Sequence, residues 1–286
     1  MTSKAFIFGY GYVGQAFARA QAAKGWTIAA TARGPDTRAM LQAAGVIPVD
    51  PADPDAMALA VQDADAILVT APPGPTGCPG LTALVPAIAR SNAFPDWIGC
   101  LSTTGVYGDR GGRWVDEQSD LSAISLEGAR RVAAERDWRQ TGRGMGLTVT
   151  TFRLPGIYGP GRSAFDRLRE GTARRIAVPG HVFSRAHRDD IVSALEASLA
   201  RPRAAGIYNI CDDEPAPGEA VIEYAARLLD AEPPPLTTEI PEKSRRFYAE
   251  NKRVSNALAK AELGWRPRYP SYREGLAAIL NTASAS

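Results

Sequence analysis

Short apolar segments alternate with longer amphipathic segments through the first half of the chain. The short segments have the length of buried strands, whereas the longer ones repeat their apolar positions at the helical period. The predicted strands are Ala5–Phe8, Thr27–Ala32, Val46–Val49, Ala66–Thr70, Trp97–Leu101 and Leu147–Phe152. The predicted helices are Val13–Ala23, Thr37–Ala44, Asp55–Gln62, Leu81–Arg90 and Ile124–Arg139. This alternation predicts an α/β fold with a doubly wound, mainly parallel sheet.

The pattern changes after Pro155, where turn-forming Pro and Gly residues break the chain into shorter elements. The elements predicted there are a strand over Ile207–Cys211 and helices over Asp189–Ala200, Gly218–Leu229 and Ser255–Glu262. We therefore expect a first domain over residues 1–155 and a smaller C-terminal lobe over residues 156–286. Part of that lobe, about residues 187–212, is expected to return to the first domain.

Composition narrows the classes of protein that this chain can be. Lys and Arg number 33 against 31 Asp and Glu, so no strong field attracts nucleic acid or an anionic membrane. No run of ~18 apolar residues, the length of a membrane-spanning helix, is present. The three cysteines, Cys78, Cys100 and Cys211, are too scattered for a disulfide framework, and no cysteine lies near the two histidines to form a metal site. A reduced, cytoplasmic protein without metal is the expectation.

The first strand runs directly into Gly9-Tyr10-Gly11-Tyr12-Val13-Gly14, which opens the first helix. A G-x-G-x-x-G sequence between a strand and a helix is typical of dinucleotide-binding sites. The first glycine permits the tight turn, the second lets the backbone approach a pyrophosphate, and the third lets the helix pack closely on the strand. The helix N-terminus then offers N–H groups to the phosphates. A tight turn without a ligand is the alternative, and the flanking strands and helices favour the binding site.

The end of the second strand indicates which dinucleotide is bound. NAD-binding folds usually place an Asp or Glu there, on the adenosine ribose. This chain has Thr31-Ala32-Arg33-Gly34 instead, and its first acidic residue is Asp36. A guanidinium at this position suits a 2′-phosphate, because it forks onto phosphate oxygens. The sequence therefore favours NADP(H). The alternative is NAD(H), and Arg33 would then be only a solvated surface arginine.

Several further segments, in order, resemble the extended short-chain dehydrogenase/reductases, the NAD-dependent epimerase/dehydratase group. Besides the glycine loop, the matching segments are LSTTGVYG at 101–108, RLPGIYGPGR at 153–162, HRDDI at 187–191, GIYNI at 206–210 and ELGWRP at 262–267. The resemblance implies a Rossmann sheet with a smaller C-terminal lobe. It covers the chain from Phe6 to about Leu280.

The resemblance also implies roles for particular positions. A hydroxyl at the end of the fifth strand contacts the substrate oxygen, which assigns Thr103 with Ser102 beside it, and the turn that begins at Pro155 resembles the one that lies against the nicotinamide. The expected cofactor contacts are Gly9, Tyr10, Gly11, Tyr12, Val13, Gly14, Arg33, Ala71, Pro72, Ser102, Arg131, Pro155, Gly156 and Ile157. In the C-terminal lobe, the residues that would suit a phosphate or carboxylate are Arg162, Arg185, His187, Arg245, Arg246 and Tyr248.

The chain departs from the family where the chemistry is expected. The family uses a Tyr and a Lys four residues apart on one helix, and here Glu127 and Arg131 stand at those positions. The segment from Leu126 to Glu135 contains neither tyrosine nor lysine, so a shifted register cannot restore the pair. Arg131 is expected at the nicotinamide ribose and within reach of Glu127. Tyr107 and Tyr158 are the candidates to replace the missing acid, with a structural role for each as the alternative.

Two functions remain open at this point. The first is an NADP(H)-dependent enzyme that acts on a small carbonyl or hydroxyl compound, or on a nucleotide sugar, with Thr103, Tyr107, Glu127 and Arg131 as its candidate catalytic residues. The second is a non-catalytic protein that senses the dinucleotide or serves as an interaction module. The expected partner is a small-molecule substrate rather than nucleic acid or membrane. The resemblance also suggests a homodimer paired through two long helices.

Overall fold

The computed structural model of the protein describes residues 2–202 and 204–284. Its strands are β1 (Lys4–Phe8), β2 (Thr27–Thr31), β3 (Ile47–Val49), β4 (Ala66–Val69), β5 (Trp97–Thr103), β6 (Trp114–Val115), β7 (Val149–Leu154), β8 (Gly156–Tyr158), β9 (Arg175–Ile176), β10 (Arg185–His187), β11 (Ile207–Asn209), β12 (Leu236–Thr237) and β13 (Arg253–Val254). Its α-helices are α1 (Tyr12–Ala22), α2 (Pro35–Ala43), α3 (Pro54–Gln62), α4 (Pro79–Ser91), α5 (Leu126–Met145), α6 (Ala164–Arg169), α7 (Arg188–Leu199), α8 (Gly218–Leu228), α9 (Glu242–Tyr248), α10 (Ala257–Leu263) and α11 (Tyr272–Ser284), and a 3₁₀ helix covers Thr104–Tyr107. Among the helices so described, none is both long and apolar enough to cross a membrane.

These residues divide into two compact units. The first consists of the described residues up to Ser102, Ala129–Arg153 and the described part of Leu195–Tyr208, and the second consists of Thr103–Gly128, Leu154–Ala194 and the described residues from Asn209 onward. The sequence pattern assigned Thr103–Gly128 to the first domain, whereas contacts group this segment with the second unit.

The first unit is built on one seven-stranded sheet, in the order β11-β7-β5-β4-β1-β2-β3. The registers pair β1 with β2, β2 with β3, β1 with β4 and β4 with β5, all in parallel. The predicted doubly wound, mainly parallel sheet is therefore confirmed. The chain adds β2 and β3 on one side of β1 and then returns to add β4 on the other side. Folds of this kind bind ligands beyond the carboxyl ends of the strands at such a switch point.

Local signals explain where the crossover helices begin and end. Proline occupies the first turn of α2, α3 and α4, where its missing N–H leaves no helical hydrogen bond unmade. Asp53 also caps α3, because its carboxylate accepts hydrogen bonds from the N–H groups of Asp55 and Ala56, at 3.0 and 3.1 Å. At the other end of α4, Asn92 adopts a left-handed conformation that stops the helix.

Apolar packing holds the helices to the sheet of the first unit. One cluster of buried side chains joins β1, β4 and β5 to α3, α4 and α5, and it includes Phe6, Met57, Val69, Leu84 and Trp138. Aromatic rings form a separate row, in which Trp97 lies 6.3 Å from Phe17 and 6.1 Å from Phe152, measured between centroids. Rings at these separations attract each other in addition to the area that they bury.

The second unit has a core of its own and only short strands. Parallel pairs join β8 to β10, β9 to β12 and β6 to β13. Its apolar cluster is formed by residues of α6, α8 and α11, among them Phe165, Ile222, Ala225, Tyr272 and Leu276. Strands of two or three residues carry no periodic signal, and for this reason the sequence pattern did not predict these pairs.

Tyr158 packs very closely on α11 in the second unit. A Cβ atom added at Gly275 would lie 2.0 Å from the Tyr158 hydroxyl oxygen and 2.7 Å from the ring carbon that carries it. The same hydroxyl donates a hydrogen bond to the Ser271 carbonyl at 3.4 Å. Gly275 therefore provides the space that this tyrosine occupies.

We expect the Gly275→Ala variant to be less stable than the wild type by about 1–3 kcal/mol, because overpacking forces the tyrosine ring or the helix to move. Urea denaturation followed by circular dichroism measures the change. Gly144→Ala is the matched control, since Gly144 also lies in a helix, α5, and has nothing within 4 Å of an added Cβ.

The control should be more stable by about 0.5–1 kcal/mol, because alanine loses less conformational freedom than glycine in a helix. Tyr158→Phe, which lacks the nearest oxygen, should recover part of the loss in the Gly275→Ala background. Equal stabilities of the Gly275→Ala and Gly144→Ala variants would contradict the close packing.

Candidate functional site

Gly9 makes the turn from β1 into the glycine loop. Its φ is +99°, a conformation that side chains rarely adopt, and an added Cβ would lie 2.7 Å from the Thr70 hydroxyl oxygen. The Gly9 N–H donates to the Thr31 hydroxyl at 2.9 Å, and the Thr70 hydroxyl donates to the Gly9 carbonyl at 2.5 Å. Residues at the ends of β2 and β4 therefore hold the loop from both sides.

The other two glycines of the motif differ in what surrounds them. At Gly14, an added Cβ would lie 2.8 Å from the Gly9 carbonyl oxygen and 3.3 Å from a methyl group of Ile7. At Gly11, nothing lies within 4 Å of the added atom. Gly11 is also the residue before α1, and no side chain caps the helix there. The open space at Gly11 lies at the N-terminus of α1, where backbone N–H groups suit a pyrophosphate.

The predicted cofactor residues of the first unit lie around this loop. Ala71 and Pro72 follow β4, and the Ala71 N–H donates to the Phe8 carbonyl at 3.2 Å. Tyr10, within the loop, is half-buried, and this burial raises the pKa of its phenol. Arg33 is exposed two residues beyond β2. These residues belong to segments that end β1, β2 and β4, at the switch point of the sheet.

Ser102, predicted as a cofactor contact, belongs to a buried polar network. Its hydroxyl donates to the Glu135 carboxylate at 2.5 Å, and the side chain is 7% exposed. Arg153 of β7 binds the same carboxylate through two guanidinium nitrogens, with the shortest distance at 2.7 Å. Glu135 and Arg153 were not predicted as site residues from the sequence. An arginine within the apolar segment Val149–Leu154 was the available signal, because a buried charge needs a partner.

Arg131 lies one turn before Glu135 on α5. It donates to the Leu101 carbonyl at 2.5 Å, and burial lowers the pKa of its guanidinium. The expected ion pair with Glu127 is wrong, since it is not among the ion pairs of the described residues. The physical reason is that the guanidinium binds a carbonyl of β5 instead, while Glu127 is exposed and lines a cavity of the second unit.

That cavity has a volume of about 1000 Å³. It brings together ten of the predicted residues. Those predicted for catalysis or cofactor contact are Thr103, Glu127, Pro155, Gly156 and Ile157, and the other candidates are Tyr158, Arg162, Arg185, Arg246 and Tyr248. Its basic side chains are those of Arg162, Arg167, Arg174, Arg185, Lys243, Arg246 and Lys252, and its acidic side chains are those of Glu127, Asp166, Glu170 and Glu250. The excess of basic groups favours an anionic ligand.

Thr103 has the geometry of a hydroxyl that can donate to a ligand in this cavity. Its oxygen accepts a hydrogen bond from the Gly105 N–H at 3.1 Å, so its own proton points elsewhere. Lys252, which the sequence analysis missed, lines the same cavity and is buried. Its ammonium donates to the Gly108 carbonyl at 2.9 Å and pairs with Glu250. No sequence motif marks this lysine.

The prediction of Tyr107 as a catalytic residue is wrong. Its side chain is fully buried, and its hydroxyl donates to the Asn209 side-chain oxygen at 2.8 Å. Tyr158 lines the cavity, but its hydroxyl is directed at Ser271 and packs against Gly275 of α11. Burial also raises the pKa of the Tyr158 phenol far above its usual value. Both tyrosines therefore have structural roles.

The HRDDI segment at 187–191 is also structural. Asp190 accepts hydrogen bonds from the N–H groups of Arg268 and Tyr269, at 2.7 and 3.1 Å, and burial raises its pKa to about 6. His187 accepts a hydrogen bond from the Asp189 N–H at 3.2 Å, and burial lowers its pKa to about 4. Its side chain is only 2% exposed, so a phosphate or carboxylate has no access to it in this structure.

Arg153→Ala should lower the free energy of unfolding by about 3–5 kcal/mol, because it leaves the Glu135 carboxylate buried without its partner. Denaturant unfolding measures this loss. Arg136→Ala is the matched control, on α5 next to Glu135, since Arg136 pairs with Asp137 at 2.9 Å but is 59% exposed. Its cost should stay within about 1 kcal/mol. A loss in Arg153→Ala no larger than that of the control would contradict the assigned role of the buried pair.

No family model matches the chain. Among curated proteins, YeeZ of Escherichia coli K12 is 28% identical over 93% of this chain and 96% of its own length. A 3-diazoavenalumate denitrifying reductase from a Streptomyces species is 32% identical, over 46% of each chain.

Two solved structures define the relationship further. A functionally unknown conserved protein from Silicibacter pomeroyi is 42% identical, with a TM-score of 0.89 over 98% of this chain and 99% of its own. A dTDP-glucose 4,6-dehydratase from Streptomyces venezuelae, with NAD bound, is 20% identical, with a TM-score of 0.80 over 99% and 97% of the two chains. The chain belongs to the same family as the Silicibacter pomeroyi protein and has the fold of the extended short-chain dehydrogenase/reductases, the NAD-dependent epimerase/dehydratase group.

Proposed function

We propose that the protein binds NADP(H) at the glycine loop and acts on a small carbonyl or hydroxyl compound, of which nucleotide sugars are one class. The reaction proceeds without the Tyr and Lys pair of the family, which the sequence lacks. The substrate binds in the basic cavity of the second unit.

One observation carries the proposal. Gly9 and Gly14 have no space for a side chain, whereas Gly11 faces open space beside the uncapped N-terminus of α1. The opening at Gly11 lies between two glycines that pack closely and at the start of a helix, so it leaves room for a phosphate against the backbone N–H groups. The residues present therefore fit a pyrophosphate. The dTDP-glucose 4,6-dehydratase of similar fold carries NAD. The Streptomyces relative that is similar over 46% of its length is a reductase. Both support a nicotinamide dinucleotide here.

The choice of NADP(H) rests on the residues after β2. Arg33 is exposed, and within the described residues it forms no ion pair or hydrogen bond that would hold it away from a ligand. The first acidic side chain, Asp36, lies in the first turn of α2. A guanidinium without a competing carboxylate suits a 2′-phosphate.

A bound nicotinamide dinucleotide would supply hydride transfer, and the chain would supply binding and proton transfer. The Thr103 hydroxyl is placed to donate to a substrate oxygen in the cavity. The basic side chains of the cavity would hold an anionic group of the substrate. Because neither Tyr107 nor Tyr158 presents its hydroxyl, the general acid is a different group or a water molecule.

The buried hydroxyls also favour a second candidate function, a protein that binds the dinucleotide without turning over a substrate. A positioned general acid contributes a factor of about 10²–10⁴ to the rate, and its loss reduces turnover accordingly. The two functions share the cofactor site and differ only in turnover.

Calorimetric titration should show tighter binding of NADPH than of NADH, and Arg33→Ala should remove most of that difference, because the guanidinium contacts only the 2′-phosphate. Gly11→Val should weaken both dinucleotides equally, because its side chain would fill the pyrophosphate space. Arg38→Ala is the matched control, since Arg38 is already paired with Asp50 at 2.5 Å. Equal affinities for NADPH and NADH in the wild type would contradict the role of Arg33.

Turnover decides between the two functions. With a panel of aldehydes, ketones and nucleotide sugars, NADPH oxidation should be slow, and Tyr107→Phe and Tyr158→Phe variants that remain folded should keep the wild-type rate. Thr103→Val, which lacks the hydroxyl, should lower the rate, with Thr82→Val as the control, because Thr82 is exposed on α4 and does not line the cavity. No oxidation of any compound, together with tight dinucleotide binding, would support the non-catalytic alternative. Loss of activity in either phenylalanine variant would contradict the structural roles.

A further inference from the structure

Two cysteines line one small cavity inside the first unit. The cavity measures about 20 Å³, and its wall includes Cys78, Cys100, Arg131 and Trp138. A volume of this size holds about one water molecule. Cys78 is half-buried, whereas Cys100 is 6% exposed. Cys78 is therefore the more exposed of the two residues, and both line the same cavity.

The backbone brings these two thiols close together. Cys100 of β5 is the register partner of Val69 in β4, and partners in neighbouring strands present their side chains on the same face of a sheet. A Cβ built at Gly80 would lie 2.8 Å from a methyl carbon of Val69 and 3.7 Å from the Cys78 sulfur. The Cys78 sulfur thus lies beside Val69, on the face that carries Cys100.

Hydrogen-bond donors and a cationic side chain surround Cys78. Cys78 is the residue before α4, a helix of 13 residues whose N-terminus no side chain caps. The indole N–H of Trp138 donates to its sulfur at 3.3 Å. Arg131 is close enough for the charges to interact: burial lowers the pKa of the guanidinium, and the Cys78 sulfur opposes that effect. The thiolate is the nucleophilic form of cysteine.

Cys100 has the opposite surroundings. Burial raises the pKa of its thiol well above the usual value, and the Cys78 sulfur contributes to the increase. Cys100 is therefore the buried thiol of the two that line this cavity. A more exposed cysteine beside a buried one is the arrangement of a peroxidatic and a resolving cysteine.

We infer that Cys78 and Cys100 form an oxidisable dithiol that a hydroperoxide converts to a disulfide. The Cys78 thiolate attacks the hydroperoxide, which breaks its O–O bond, oxidises the sulfur to sulfenic acid and releases water or an alcohol. The Cys100 sulfur then attacks the sulfenic sulfur, an S–S bond forms, and the hydroxyl leaves as water with the thiol proton. A thiol reductant such as dithiothreitol reverses the change.

Treatment of the purified full-length protein with hydrogen peroxide, then denaturation in N-ethylmaleimide and mass spectrometry, tests this inference. Compared with the untreated protein, the oxidised wild type should carry one maleimide adduct instead of three. Its mass should also be lower by two hydrogens, because the disulfide removes one from each thiol. Peptide mapping should find a linkage between Cys78 and Cys100 that dithiothreitol removes. Cys211→Ser is the matched control, because Cys211 is buried in the second unit and bonds to the Val254 carbonyl at 3.2 Å. It should form the same linkage.

The two remaining variants separate the steps. Cys78→Ser should form no disulfide and keep both maleimide adducts, whereas Cys100→Ser should trap the sulfenic acid, which dimedone labels at Cys78. The wild-type peptide map needs no variant, so a variant that fails to fold does not affect the test. Three unmodified cysteines in the oxidised wild type, or a linkage that includes Cys211, would overturn the inference.

Discussion

The buried pair of Glu135 and Arg153 is the interaction on which the first unit depends most. Taking two charges out of water costs several kcal/mol for each ion, and only a close, well-bonded pair offsets this cost. Here the guanidinium, with two nitrogens, and the Ser102 hydroxyl both bind one carboxylate. The network joins β7, α5 and the end of β5, and therefore fixes the rotation of α5 on the sheet. Arg131 and Trp138, on the same helix, owe their positions at Leu101 and Cys78 to that rotation.

Long elements and the glycine loop could be predicted from the sequence because their signals are local. The strand before Gly9 and the helix after it have clear periodicity. Position 14 of the motif is a glycine because the helix packs so closely on the strand there that a side chain has no space. The burial of Tyr107 has no local signal. Its partner, Asn209, is 102 residues away, so only the folded chain shows that the hydroxyl is already bonded.

The relation between Glu127 and Arg131 shows why spacing alone misleads. Side chains four residues apart on a helix can pair, but an exposed pair of this kind contributes only about 0.2–0.5 kcal/mol. A carbonyl near the carboxyl end of β5 offers the guanidinium a half-buried hydrogen bond, and such a bond to a charged group contributes about 1.5–3 kcal/mol. The tertiary contact with Leu101 is therefore the stronger one, and Glu127 remains in the cavity of the second unit.

The cavity itself limits the chemistry that this fold can support. Tyr158 is held by Ser271 and by the space that Gly275 leaves, so a hydroxyl at that position anchors α11 rather than a substrate. The remaining proton donors on the wall include the Thr103 hydroxyl and the Lys252 ammonium. The ammonium already binds a carbonyl and a carboxylate, and release of its proton would leave the Glu250 carboxylate without its partner. The Thr103 hydroxyl carries no such cost, because its oxygen accepts a hydrogen bond from the Gly105 N–H and its own proton stays available on the cavity wall.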